Sequence, residues 1–181
     1  MAYRRGLALH FHLVAYAAML CLAATLSAQT PVWKTFSYPA DGFSISFPSA
    51  PEFQKKPIPT DVGTVELHSY IAEGDSAMLF AAACDYGAQA AGKDPDVVLQ
   101  AAKKAVLQSP NTQLVSEKKI MLGVNHGLAY EAVSDQALYS VRIYVVGSTL
   151  YQTLVLARLG KPYADAAQFL DSFELIARPG N

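Results

Sequence analysis

Outside the first 28 residues the chain has only two histidines, His68 and His126, and one cysteine, Cys84, so few side chains could move a proton near neutrality or attack an electrophile. His68 lies in TVELHSYIAE, where strand spacing puts it on the more polar face with Glu66 and Tyr70 and leaves Val65, Leu67, Ser69 and Ile71 on the other. An imidazole and a carboxylate two positions apart are two ligands, too few to specify a metal. As a general base, His68 would need a nucleophile or a second base within about 3 Å. His126 stands in GVNHG, which predicts a glycine-flanked loop tip, and the same requirement applies to it. Cys84 is followed by Asp85, a carboxylate that would raise the thiol pKa, so the run AMLFAAACDY predicts a small buried hydrophobe near a strand end. The remaining candidate is a binding surface of Arg142, Tyr144 and Tyr151, which share one predicted hairpin face. The competing reading makes Tyr144 and Tyr151 a packed cross-strand pair beneath a helix, with Arg142 at the sheet margin.

The sequence shows no phosphate loop, nucleophile elbow, HExxH, paired-cysteine spacing or glycine-rich nucleotide turn. No metal and no cofactor is therefore expected, and no catalytic residue is assigned.

The element that must position these side chains is the stretch LYSVRIYVVGSTLYQTLVLA, Leu138 to Ala157. Gly147 at the first position of a two-residue loop suits a type II′ turn. Counting outward, Val145 faces Leu150, Val141 faces Leu154 and Tyr139 faces Leu156 on one side, while Tyr144 faces Tyr151 and Arg142 faces Thr153 on the other. The second strand is apolar on both faces, which predicts a cover on each. Phe43, Ile45 and Phe47 alternate with serines after the turn Tyr38-Pro39-Ala40-Asp41-Gly42, predicting an inward-facing strand. Pro48, Pro51, Pro57 and Pro59 predict a loop over 48 to 63. Asp94-Pro95 opens a helix with Val98, Leu99, Ala102, Ala105 and Val106 on one stripe, ending by Ser109. Further pairs follow at 114–122 with 128–133, then a short helix within 161–173 and a last strand to Ile176. Arg178-Pro179-Gly180-Asn181 should fray.

Met1 to Ala28 reads as a secretory signal peptide: Arg4 and Arg5 precede an apolar run from Leu7 to Leu26, and Ser27-Ala28 offers a cleavage site. The alternative keeps Leu7 to Leu26 as an uncleaved membrane tether. Cleavage leaves residues 29–181 as a single domain, with 12 basic against 15 acidic residues, or −3. That balance argues against nucleic acid and, once the signal is removed, against a membrane surface. The expected location is periplasmic or extracellular.

Three stretches, DGFSISFP (Asp41 to Pro48), RIYVVGSTLYQT (Arg142 to Thr153) and FLDSFEL (Phe169 to Leu175), together resemble the PsbP-like family. That fold is shared by the extrinsic PsbP subunit of photosystem II, a Ran-binding nuclear import factor and many exported bacterial proteins. The resemblance spans nearly all of residues 33 to 176. It implies an α+β fold, a three-layer α/β/α sandwich around a mostly antiparallel sheet, and a bias toward binding or assembly. No contact residue of those proteins matches a position here. The sequence thus predicts an exported, non-catalytic binding or assembly module for a protein or small-molecule partner it does not identify, the alternatives being a small hydrolase using His68 or His126 and a membrane-tethered form of the same domain.

Overall fold

A computed structural model describes residues 31–60, 63–74, 76–87 and 92–179. The signal-peptide reading of 1–28 lies outside the described residues. Strands β1 (Lys34–Tyr38) and β2 (Phe43–Phe47) open the compact unit that begins at Pro31. Then come β3 (Glu52–Thr60), β4 (Gly63–Glu73), β5 (Ala77–Asp85), helix α1 (Pro95–Leu107), β6 (Gln113–Leu122), β7 (Asn125–Val133), β8 (Ala137–Val146) and β9 (Thr149–Arg158). Helix α2 (Ala166–Asp171) and β10 (Glu174–Leu175) follow.

Seven strands form one antiparallel sheet in the order β3-β4-β5-β9-β8-β7-β6, and β1-β2-β10 form a small second sheet. The β8–β9 register is the one the sequence predicts, with Val145 opposite Leu150, Tyr144 opposite Tyr151 and Arg142 opposite Thr153. Gly147 sets it at a φ of 57°, where a Cβ would strain the turn.

Both faces of the large sheet are covered, by unlike layers. Leu99 of α1 buries itself among Leu128, Tyr130, Val141, Ile143 and Leu150. The helix starts where Asp94 accepts from the Asp96 amide at 2.9 Å, with Pro95 at the first helical position. On the other face the small sheet and α2 press Phe43, Ile45, Phe47, Phe169 and Phe173 onto Tyr70, Ala81, Tyr144, Tyr151 and Val155. The α/β/α expectation is therefore met only in part. The second outer layer is mostly strand, and its helix has six residues.

Three further expectations are corrected. Residues 52–60 are strand, not loop. Pro57 and Pro59 are two apart, so both missing N–H groups point to one side, and β3, an edge strand, has a free side to put them on. His126 is not at a loop tip, because Gly123-Val124 alone makes the turn and His126 pairs with Met121 inside β7. The face of β4 carrying His68 and Tyr70 is the one turned toward the larger core, since Tyr70 and Ala72 are buried there. Polarity along one strand misleads when a second layer supplies partners. The other edge strand, β6, has a bulge between Leu114 and Ser116.

Candidate functional site

The turn between β1 and β2 folds back on itself: the amides of Asp41 and Gly42 donate to the Tyr38 carbonyl at 3.0 and 2.9 Å. Gly42 adopts a φ of 78°, and the chain there brings Asp41 over His68 and Tyr70 in the middle of β4. Asp41 is 7% exposed, so its oxygens need partners within the protein. They have them. His68 Nδ1 lies 2.7 Å from one carboxylate oxygen, and the Tyr70 hydroxyl donates to the other at 2.6 Å. A carboxylate only accepts, so with Asp41 ionised His68 Nδ1 is the donor in this contact. The Asp41 backbone carbonyl accepts from the Tyr151 hydroxyl at 2.8 Å and from Arg178 Nη2 at 3.3 Å.

Aromatic rings hold this group in place. Tyr38 stacks on Tyr70 with ring centroids 3.6 Å apart, and Phe53 meets the His68 ring edge-on at 5.6 Å. Burial, with the bond to Asp41 second, pushes the Tyr70 hydroxyl well above its usual pKa, so it stays a donor. Burial alone pushes Tyr38 up to about 12.

A second charged group lies beside the first. Asp85, at the end of β5, accepts from Ser148 Oγ at 2.7 Å, from the Gly87 amide at 2.8 Å and from Arg178 Nη1 at 3.3 Å. The Ser148 bond chiefly, against a smaller burial penalty, holds its carboxyl below the usual range. Arg178 Nη2 also donates to Thr149 Oγ1 at 3.0 Å and to the Tyr151 hydroxyl at 3.2 Å. Asp41, His68, Asp85, Thr149 and Arg178 line a cavity of about 360 Å³. A second cavity of about 420 Å³ shares Thr149 and Arg178 with the first.

The arrangement orients an imidazole and presents charge of both signs to a ligand. Of the hydroxyl-bearing residues that line the cavity, Thr149 is 3% exposed and engaged by Arg178. No group of three or more metal-ligating side chains is present among the described residues. Glu66, considered with His68 as a ligand pair, instead bonds Lys55 at 2.6 Å.

The other sequence candidates scatter. His126 lies on the α1 face of the sheet, 3.7 Å from Asp96, with both side chains well exposed. Cys84 is buried, and burial raises its thiol pKa, which suppresses the thiolate. The exposed Tyr144 and Tyr151 surface is corrected: both rings are buried against Phe173, with centroids 5.7 and 5.6 Å away. Arg142 is not at the sheet margin but in the middle of the interior strand β8, paired between Ala129 and Thr153 and bonded to Asp171 of α2 at 2.5 Å. Gly127 makes room for the Tyr144 ring, since a Cβ there would come within 2.5 Å of it. Sequence reasoning missed Asp41, Asp85 and Arg178. Asp41 is visible only as turn chemistry, and Arg178 falls in the stretch expected to fray.

No family model matches the chain, and no curated protein matches it by sequence. Among solved structures, the chain is similar to the solution structure of cyanobacterial PsbP from Synechocystis sp. PCC 6803. The TM-score is 0.52 at 10% identity, over 85% of this chain and 98% of the other. At that identity the likeness establishes the fold alone.

Proposed function

The chain carries a PsbP-like fold, and from that premise we propose that it is an exported, non-catalytic binding or assembly module whose recognition site is the trough lined by Asp41, His68, Asp85, Thr149 and Arg178. One observation carries this reading. The charged groups of the trough are fixed by bonds from five separate segments before any ligand arrives: the 38–42 turn, β4, β5, the β8–β9 turn and the stretch after β10. Such a site loses little side-chain entropy on binding. The net charge leaves nucleic acid out of the proposal, and among the described residues no helix is long and apolar enough to cross a membrane.

Two measurements test it. Edman sequencing of the exported protein should begin at Gln29, whereas a chain retaining Leu7 to Leu26 would support the tethered form instead. Immobilised mature chain should retain a partner from the exported fraction, and Asp85→Ala with His68→Ala should release it. Equal capture by the folded double variant would move recognition away from the trough.

The Asp41–His68 contact at 2.7 Å also favours a second reading, a small hydrolase in which His68 activates water. Carboxylate and phosphate ester panels decide it. Turnover that His68→Ala does not lower rules out His68, and absence of turnover removes the enzyme.

A further inference from the structure

The segment after β10 is arranged like a bound peptide. Glu174 and Leu175 pair with Ser44 and Phe43 of β2, and the Ile176 amide donates to the Gly42 carbonyl at 3.0 Å. Beyond that the chain runs outside: Ala177 and Pro179 are exposed, and only Arg178 turns inward. Its guanidinium reaches four acceptors on three elements, the β1–β2 turn, β5 and β9. Nη1 donates to the Asp85 carboxylate, and Nη2 is shared among the Asp41 carbonyl, Thr149 Oγ1 and the Tyr151 hydroxyl, at 3.0 to 3.3 Å. The approach is possible because residue 42 is glycine. A Cβ there would stand 2.8 Å from Arg178 Nε and 3.0 Å from its Cγ.

Acceptors spread over two nitrogens suit a planar fork and not a point charge, so the set discriminates arginine from lysine. Both cavities, of about 360 and 420 Å³, are lined by Arg178 and Thr149, so this side chain borders open space and does not plug a filled core. We propose that the trough is a guanidinium-binding site for an arginine-bearing extended peptide that adds beside β2, and that Ile176 to Pro179 is its occupant in cis. This rests on the binding-module reading above and names the chemistry of its ligand.

The test uses the full exported chain with Arg178→Ala and the probe N-acetyl-arginine methylamide, followed by amide shifts of Gly42, Asp85, Gly87 and Thr149. Saturable uptake is expected with a Kd on the order of 1 mM, a sensible value for a ligand of so few atoms. Wild-type chain, whose own arginine fills the cage, should take the probe roughly tenfold more weakly, and N-acetyl-lysine methylamide should bind Arg178→Ala roughly tenfold more weakly than the arginine probe. Adding Asp85→Asn should weaken uptake further. No saturable shift in a folded Arg178→Ala chain, or equal binding of the lysine probe, overturns the proposal. Should Arg178→Ala not fold, Arg178→Lys decides: uptake of the arginine probe supports the site and its absence overturns it. Partner capture in the previous experiment does not depend on the probe. Capture without probe uptake removes the guanidinium chemistry alone, while loss of both removes the trough as a site.

Discussion

The described residues contain two histidine–aspartate pairs, one on each face of the large sheet, and they differ in nearly everything except composition. His68 and Asp41 meet at 2.7 Å, and the carboxylate is 7% exposed and takes a second bond from Tyr70. His126 and Asp96 stand 3.7 Å apart in solvent, and Asp96 bonds Lys119 in preference. Water can replace every partner of the second pair and almost none of the first. Residue type alone therefore carries little. What makes a pair part of the structure is a second layer pressed against it.

The largest effect should come from removing the buried acceptor. Asp41→Ala strands the buried Tyr70 hydroxyl, at about 1–3 kcal/mol for a buried donor left unpaired, and takes the partner from the half-buried His68 Nδ1 as well. Urea denaturation should show a loss of about 3 kcal/mol, against a far smaller loss for Asp96→Ala. Similar losses for the two would erase the contrast. Next in size is Gly42→Ala, which meets both a positive φ of 78° and the Arg178 side chain. A loss of about 1–3 kcal/mol is expected, with the Arg178 contacts gone from the amide spectrum. An unchanged chain would mean that Arg178 does not lie where the structure has it.

A smaller effect depends on pH. Asp85 has a folded-state pKa below its unfolded value, so its contribution is present in full above the unfolded pKa of about 3.9 and is lost as pH falls through the folded one. The stability difference between wild type and Asp85→Asn should be constant from about pH 5 upward and shrink below about pH 4. A difference that grows on acidification would reverse the assignment. Smallest is the salt response of the exposed pair. Charges in open solvent are screened, so 0.5 M NaCl should remove whatever Asp96→Asn changes and leave the Asp41→Ala loss nearly intact. A salt-resistant Asp96 effect would show that pair to be more than surface.

Much of the framework was legible because its signals are local. Gly147-Ser148 fixes a count that runs correctly to Tyr139 and Leu156, and Asp94-Pro95 marks the start of α1 within one residue. Phe43, Ile45 and Phe47 alternate as they are buried. The site was not legible, since its partners are distant in sequence: Asp41 and His68 are 27 residues apart, and Arg178 is 137 from Asp41. No periodicity records such meetings. Residues 52–60 misled for another reason. Proline's cost to a ladder depends on which side of the strand is free, and that follows from sheet order.

The sheet order has a further consequence at its two rims. An open seven-stranded layer invites neighbours to continue it, strand against strand, until molecules join end to end. On the β3 rim two successive hydrogen-bonding positions are proline and offer no donor, and on the β6 rim the bulge at 114–116 throws an added strand out of step. Crowded copies of this protein should thus remain separate particles, although each displays long stretches of extended backbone to the next.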